Sequence, residues 1–161
     1  MIVLGIDIGV SGAIAVLSDG AIVQVHDMPI LRDGPKNRAS VNAPLLAEII
    51  ATSHAQTVFI EWVGVRPGEG AVGAFAFGRA RGVCEGVCAG LAIPVVFITS
   101  PQWKRVHGIA PGKNGAKDAA RSKAIARWPG SADLFKRARD DGRAESCLIA
   151  TAGMLISENT R

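Results

Sequence analysis

Only three cysteines, Cys84, Cys88 and Cys147, occur among the 161 residues, too few and too oddly numbered for a disulfide framework. A reducing, cytosolic compartment is the simplest expectation. No apolar stretch is long enough to read as a membrane span, because the longest uncharged run, residues 86–103, is interrupted by Gly90, Pro94 and Pro101. Residues 1–12 lack a basic start and carry Asp7 inside their apolar run, unlike a secretory signal. Internal repeats and low-complexity tails are missing as well. His26, His54 and His107 are scattered and take no assigned role, and no cluster completes a metal site around Cys84 and Cys88, which read as small buried residues. Charge is sparse at 20% against 48% apolar residues, so the chain can bury an ordinary core. At this length the expectation is one domain over residues 1–161, which excludes a two-domain ATPase or kinase.

What charge there is falls unevenly. The whole chain has 18 Lys and Arg against 14 Asp and Glu, but residues 104–143 hold eleven basic residues and four aspartates, +7 there and −3 elsewhere. A basic segment on an otherwise mildly acidic protein suits a nucleic acid or another polyphosphate.

Residues 2–8 and 12–18 are rich in β-branched residues, and Asp19-Gly20 is a type I′ hairpin signal leading into a third strand, 21–27. Residues 31–40 are polar and turn-rich and read as a loop. Asn42 suits the N-cap of a helix reaching His54; a short strand follows at 57–62, and Gly64, Gly68 and Gly70 lead into a long helix from Val72 to Leu91. A fifth strand spans 93–98. Ser100-Pro101 then signals a short helix holding Trp103, Lys104 and Arg105, 108–115 is a loop, and helices are expected over 116–128 and 141–157. This order predicts an α/β fold with a five-stranded mixed sheet, a three-strand antiparallel meander plus two parallel strands, flanked by helices.

Four carboxylates need an explanation. Asp7 closes a strand of Ile2, Leu4 and Ile6, and Glu61 closes Val58-Phe59-Ile60; in adjacent parallel strands both acids emerge at the carboxyl ends, where open α/β sheets place their sites. Asp141 and Glu145 share a helix face that continues through Leu148, Ala152 and Leu155. Singly, these residues could be a turn residue, a rim charge or a helix cap. Together they form a site for hard cations such as Mg²⁺, with Mn²⁺ the alternative; two such ions ~3.5–4 Å apart can activate water and stabilise the leaving oxygen of a phosphodiester. At 100° per residue Asp141 lies about 40° from Glu145 around the helix and Asp140 about 140°, so Asp141 is the expected ligand and Asp140 a cap or solvent-facing charge. Lys104, Arg105, Lys113, Lys117, Lys123, Arg79 and Arg81 are the candidate contacts to a nucleic-acid backbone. In the long helix Gly78, Gly82, Gly86 and Gly90 recur every four residues, each costing about 1 kcal/mol relative to Ala, which calls for close packing, either on the chain's own sheet or, the preferred reading, at a dimer interface.

Leu4-Gly5-Ile6-Asp7-Ile8-Gly9, the strand ending Ile60-Glu61, Phe77-Gly78-Arg79-Ala80-Arg81-Gly82-Val83, Pro101-Gln102-Trp103-Lys104 and Ala144-Glu145-Ser146-Cys147-Leu148-Ile149-Ala150 together resemble the RuvC Holliday junction resolvases, particularly their shorter phage-type relatives. The resemblance implies a ribonuclease H-like fold, a homodimer that uses the Val72 to Leu91 helix, and Mg²⁺-dependent paired nicking of four-way DNA junctions. It also implies that Asp7, Glu61 and the acids of the last helix are the metal ligands. The chain departs from the family twice. Gly142 stands three before Glu145, where a second acid is common, so Asp141 substitutes from one residue further away; and the aromatic expected soon after the second acid must be Trp62 or Phe75. A junction-binding module without cutting, or a nuclease of the same fold acting on flaps or RNA, remains the alternative.

Overall fold

A computed structural model of the chain describes residues 1–32, 35–65, 68–110 and 115–159. Strands β1 (Ile2–Asp7), β2 (Ala13–Ser18) and β3 (Ala21–Asp27) form the antiparallel meander. Asp19 and Gly20 both take positive φ, 48° and 82°, as a type I′ turn requires. A short antiparallel pair, β4 (Ile30–Leu31) with β5 (Ser40–Val41), closes the two ends of the segment expected to be loop, 31–40. Two residues per strand carry too little pattern to register in sequence.

Asn42 caps α1 (Ala43–Ser53), its Oδ1 accepting the Leu45 N–H at 3.2 Å. Strand β6 (Thr57–Trp62), helix α2 (Ala71–Gly90) and strand β7 (Val95–Thr99) come next. After them lie α3 (Ser100–Val106), α4 (Ala116–Arg127) and α5 (Asp141–Glu158). The sheet order is β3-β2-β1-β6-β7, with β1, β6 and β7 mutually parallel. The α3 cap sits one residue earlier than expected: the Thr99 N–H and hydroxyl both donate to Gln102 Oε1 at 2.8 Å.

Alternation along the strands divides the core in two. Leu4, Ile6, Val58 and Ile60 point to the side covered by α1 and α2, with Leu46, Ile50, Ala80, Cys84 and Cys88. Val3, Phe59 and Ile98 point to the other side, against Trp103, Leu148 and Ile149. Two glycines let α5 settle onto that face: a Cβ at Gly5 would lie 2.0 Å from the Ser146 carbonyl oxygen, and one at Gly153 would lie 2.2 Å from the Phe59 ring. Burial pushes the Cys84 and Cys147 thiols up to about 12, consistent with inert core residues.

The glycines of α2 behave differently from those of α5. Gly78, Gly82, Gly86 and Gly90 are exposed, and a Cβ on any of them would meet nothing within 4 Å. The buried face of α2 is Ala80, Cys84 and Cys88. Among the described residues nothing packs on the glycine strip to offset its cost. Among the described residues no helix is long and apolar enough to cross a membrane.

Candidate metal centre and nucleic-acid interface

The parity that divides the core also selects the acids. Asp7 follows Val3 and Gly5 in the odd positions of β1, and Glu61 follows Phe59 in β6, so both face α5. Parallel pairing runs to Ile6 opposite Ile60, and each acid is the next residue of its strand. Glu145, in the second turn of α5, comes down onto the same point. Asp7, Glu61 and Glu145 each offer an oxygen within 4.8 Å of the others.

Gly142 explains how α5 reaches so close. A Cβ there would lie 2.8 Å from the Ser11 carbonyl oxygen and 3.1 Å from Asp7 Oδ2. The absent side chain, read from sequence as a lost acid, is what admits the helix end to Asp7. The helix is regular at that end, with Asp141 at φ −56° and ψ −44°.

The carboxylates repel one another. Burial raises the Asp7 carboxyl well above its ordinary value, and Glu145, Glu61 and Asp141 add to the effect. Glu145 is pushed up to about 7, again by burial first and then by Glu61. Oxygen ligands with uncompensated charge are the donor set that a hard divalent cation satisfies, so the residues present fit Mg²⁺ or Mn²⁺.

Asp141 lies beside this trio rather than within it. It forms an ion pair with Lys117 of α4, and that carboxylate raises the lysine's affinity for its proton. Asp140 is not solvent-facing. It is almost fully buried, taking the Arg137 backbone N–H at 2.9 Å and the Arg137 guanidinium at 2.9–3.1 Å, and this bonding holds its carboxyl below the ordinary value.

Two features of the site carry no signal in the sequence. The buried Trp103 indole N–H donates to Glu61 Oε1 at 3.0 Å, joining residues 42 apart. Arg143 makes a two-pronged contact with Asp27 at 2.6 and 2.7 Å, tying α5 to the outer strand β3. A charged pair 116 residues apart leaves no local spacing to read.

The basic residues do not all behave alike. Arg105, Lys123 and Arg79 are exposed. Lys104 lies closer in, its Nζ 5.2 Å from the Trp103 ring centroid, and it draws the Glu145 carboxyl down. Lys117 is mostly exposed along its stem while its ammonium engages Asp141. Arg81 departs from the expectation of a backbone contact: it pairs with Glu85, donates to the Val63 carbonyl at 3.2 Å and lies 3.7 Å from the Trp62 ring centroid. It fastens α2 to the end of β6. Lys113 lies outside the described residues.

Of the two aromatic candidates, Trp62 is held edge-on to Phe97 at 5.0 Å and beneath Arg81, whereas Phe75, in the first turns of α2, is 75% exposed. Phe75 and Phe77 also line an apolar groove of about 520 Å³ between α2, β5 and the Gly9-Val10 turn that follows Asp7.

The chain is 28% identical over 117 residues to the chloroplastic Holliday junction resolvase MOC1 of Chlamydomonas reinhardtii, a match covering 70% of this chain and 13% of the relative's length. No protein-family model matches. Thermus thermophilus RuvC in complex with a Holliday junction substrate superposes with a TM-score of 0.73 at 15% identity, covering 99% of this chain and 96% of that one. A second Thermus thermophilus RuvC structure gives 0.65 at 18% identity, with coverage of 99% and 97%. The fowlpox virus Holliday junction resolvase gives 0.54 at 15% identity, covering 99% of both chains. The fold is the ribonuclease H-like fold of these resolvases.

Proposed function

We propose that this chain is a divalent-metal-dependent endodeoxyribonuclease that binds four-way DNA junctions as a homodimer and resolves them by paired nicks. The observation that carries the reading is the meeting of Asp7, Glu61 and Glu145 at the carboxyl ends of two parallel strands, beneath the end of a helix. The sequence similarity to one junction resolvase and the fold shared with others support it. The free, buried cysteines suit a reducing compartment.

Asp7, Glu61 and Glu145 would hold the ion, with Asp141 in reserve at the rim. Bound there, Mg²⁺ or Mn²⁺ would polarise the scissile phosphate and lower the pKa of an attacking water. In the hydrolysis water oxygen bonds to phosphorus, one P–O ester bond breaks, and the departing oxygen leaves with a proton. Lys117 neutralises Asp141, and with a cation held by that carboxylate its ammonium would be free for a phosphate oxygen. Lys104 lies between the acids and the exposed Arg105, which with Lys123 continues a positive path for the backbone. Phe75 is the apolar wedge offered to the junction centre. The unfilled strip of Gly78, Gly82, Gly86 and Gly90 is the surface for the second copy, where two helices can approach backbone to backbone.

Cleavage and gel-shift assays on one preparation, with junction, flap, duplex and RNA–DNA hybrid at equal concentration and with or without Mg²⁺, test the reading. Asp7→Asn and Glu61→Gln should abolish Mg²⁺-dependent junction cutting and leave junction binding intact. Loss of binding in step with cutting would give these acids a structural role, and preferential cutting of the hybrid or flap would change the substrate.

A further inference from the structure

We infer that Trp103 is a positioning residue for Glu61, its indole N–H fixing the direction in which that carboxylate is offered to a divalent ion. The inference rests on the metal-dependent reading above and extends it to a residue outside the acid cluster. Trp103 is fully buried, and its Nε1–H lies 3.0 Å from Glu61 Oε1. A buried indole needs an acceptor, but any carbonyl would serve. The acceptor here is one of the three acids whose oxygens converge.

The helix that carries Trp103 is pinned at both ends. Its start is closed by Gln102 on Thr99, immediately after β7, whose Ile98 is paired with Glu61 itself. At its far end His107 Nε2 lies 2.8 Å from the Leu148 carbonyl oxygen and donates to it, one turn of α5 beyond Glu145. Trp103 therefore sets Glu61 in a frame shared with the opposing ligand. The donor type matters as much as the place. Lys117, a cation on Asp141, competes with an incoming metal for that carboxylate's charge. An indole is neutral, so it orients Glu61 while leaving the negative charge for the ion. Partners of this kind, one step behind a metal ligand, are commonly worth 10–100-fold in metal affinity.

The three tryptophans, Trp62, Trp103 and Trp128, give three indole N–H signals in a ¹⁵N spectrum of the full chain. Trp103→Phe assigns its own. We expect the Trp103 signal to shift in Glu61→Gln and again as Mg²⁺ is titrated into the wild type. The Trp128 signal should stay, because that N–H donates to the Gly20 carbonyl at the opposite end of the sheet. Mn²⁺ affinity, read from the paramagnetic signal of the free ion, should fall about tenfold in Trp103→Phe. If Trp103→Phe does not fold, Trp62→Phe and Trp128→Phe assign the Trp103 signal by elimination, and its shifts in Glu61→Gln and in the wild type decide alone. A Trp103 signal indifferent to both, or a folded Trp103→Phe protein that binds Mn²⁺ as tightly as the wild type, overturns the inference and leaves the metal reading standing. A wild-type chain that takes up neither Mn²⁺ nor Mg²⁺ overturns both.

Discussion

Asp140 and Asp141 are adjacent and do opposite things. The helical angle separates them in sequence; in the structure Asp141 lies beside the acid trio, paired with Lys117, and Asp140 packs against Arg137. The angle could not reveal what awaits Asp140 on the other side. Arg137 encloses it, so it is a buried, bonded carboxylate rather than a surface charge. Asp140→Asn keeps the shape and loses the charge-assisted bonds to a half-exposed arginine, a cost of about 1–3 kcal/mol. Chemical denaturation should detect that loss while Mg²⁺-dependent cutting stays near the wild-type rate. Asp141→Asn should do the reverse, leaving stability close to unchanged because its Lys117 partner is exposed, and lowering the cleavage rate by an order of magnitude or more. A dead Asp140→Asn enzyme beside an active Asp141→Asn would reverse the assignment.

At the scale of elements, most of the frame was legible because each part of the signal was local. Runs rich in β-branched residues marked β1 and β2, the Asp19-Gly20 pair marked the hairpin, and Asn42 marked the start of α1. Asp7 and Glu61 were legible as a pair because both terminate strands. What stayed hidden was long-range: the Trp103 bond to Glu61, the Arg143 contact with Asp27, and the folding of Arg81 onto Trp62. Gly142 combines both cases. Its sequence position reads as a missing ligand, and only its distance to Ser11 and Asp7 shows a close approach. Alanine is the better helix former by about 1 kcal/mol, so Gly142→Ala gains in propensity what it loses in contact. The Cβ meets a backbone carbonyl, which cannot swing aside, and the end of α5 must move. We expect Gly142→Ala to melt within ~2–4 °C of the wild type, the equivalent of about 1 kcal/mol at this size. Its Mn²⁺ affinity should fall several-fold in a calorimetric titration. Unchanged affinity would mean that Asp7 and Glu145 tolerate separation.

For the whole molecule, charge and symmetry act together. Of the eleven basic residues between 104 and 143, Lys117, Arg121, Lys136, Arg137 and Arg143 are engaged with acids of the chain itself. Lys104, Arg105, Lys123, Arg127 and Arg139 have no ion-pair partner among the described residues. On the proposed reading one copy would offer a modest number of phosphate contacts, each contributing ~0.9 to the log–log slope of affinity against salt on duplex arms. A junction has two-fold symmetric arms, and two copies joined through the α2 glycines would double that number without any new contact within a copy. Gly82→Leu separates the two effects, since a branched side chain on a strip with open space around it disturbs nothing inside its own chain and blocks the approach of another. The variant should sediment as a folded monomer, bind junctions more weakly, and show about half the wild-type salt slope in fluorescence anisotropy. Charge reversal on the paired acids is not needed for this comparison, because the basic surface is identical in the two proteins. A Gly82→Leu chain that remains dimeric with an unchanged slope would place the interface on another face and leave the glycine strip without a role.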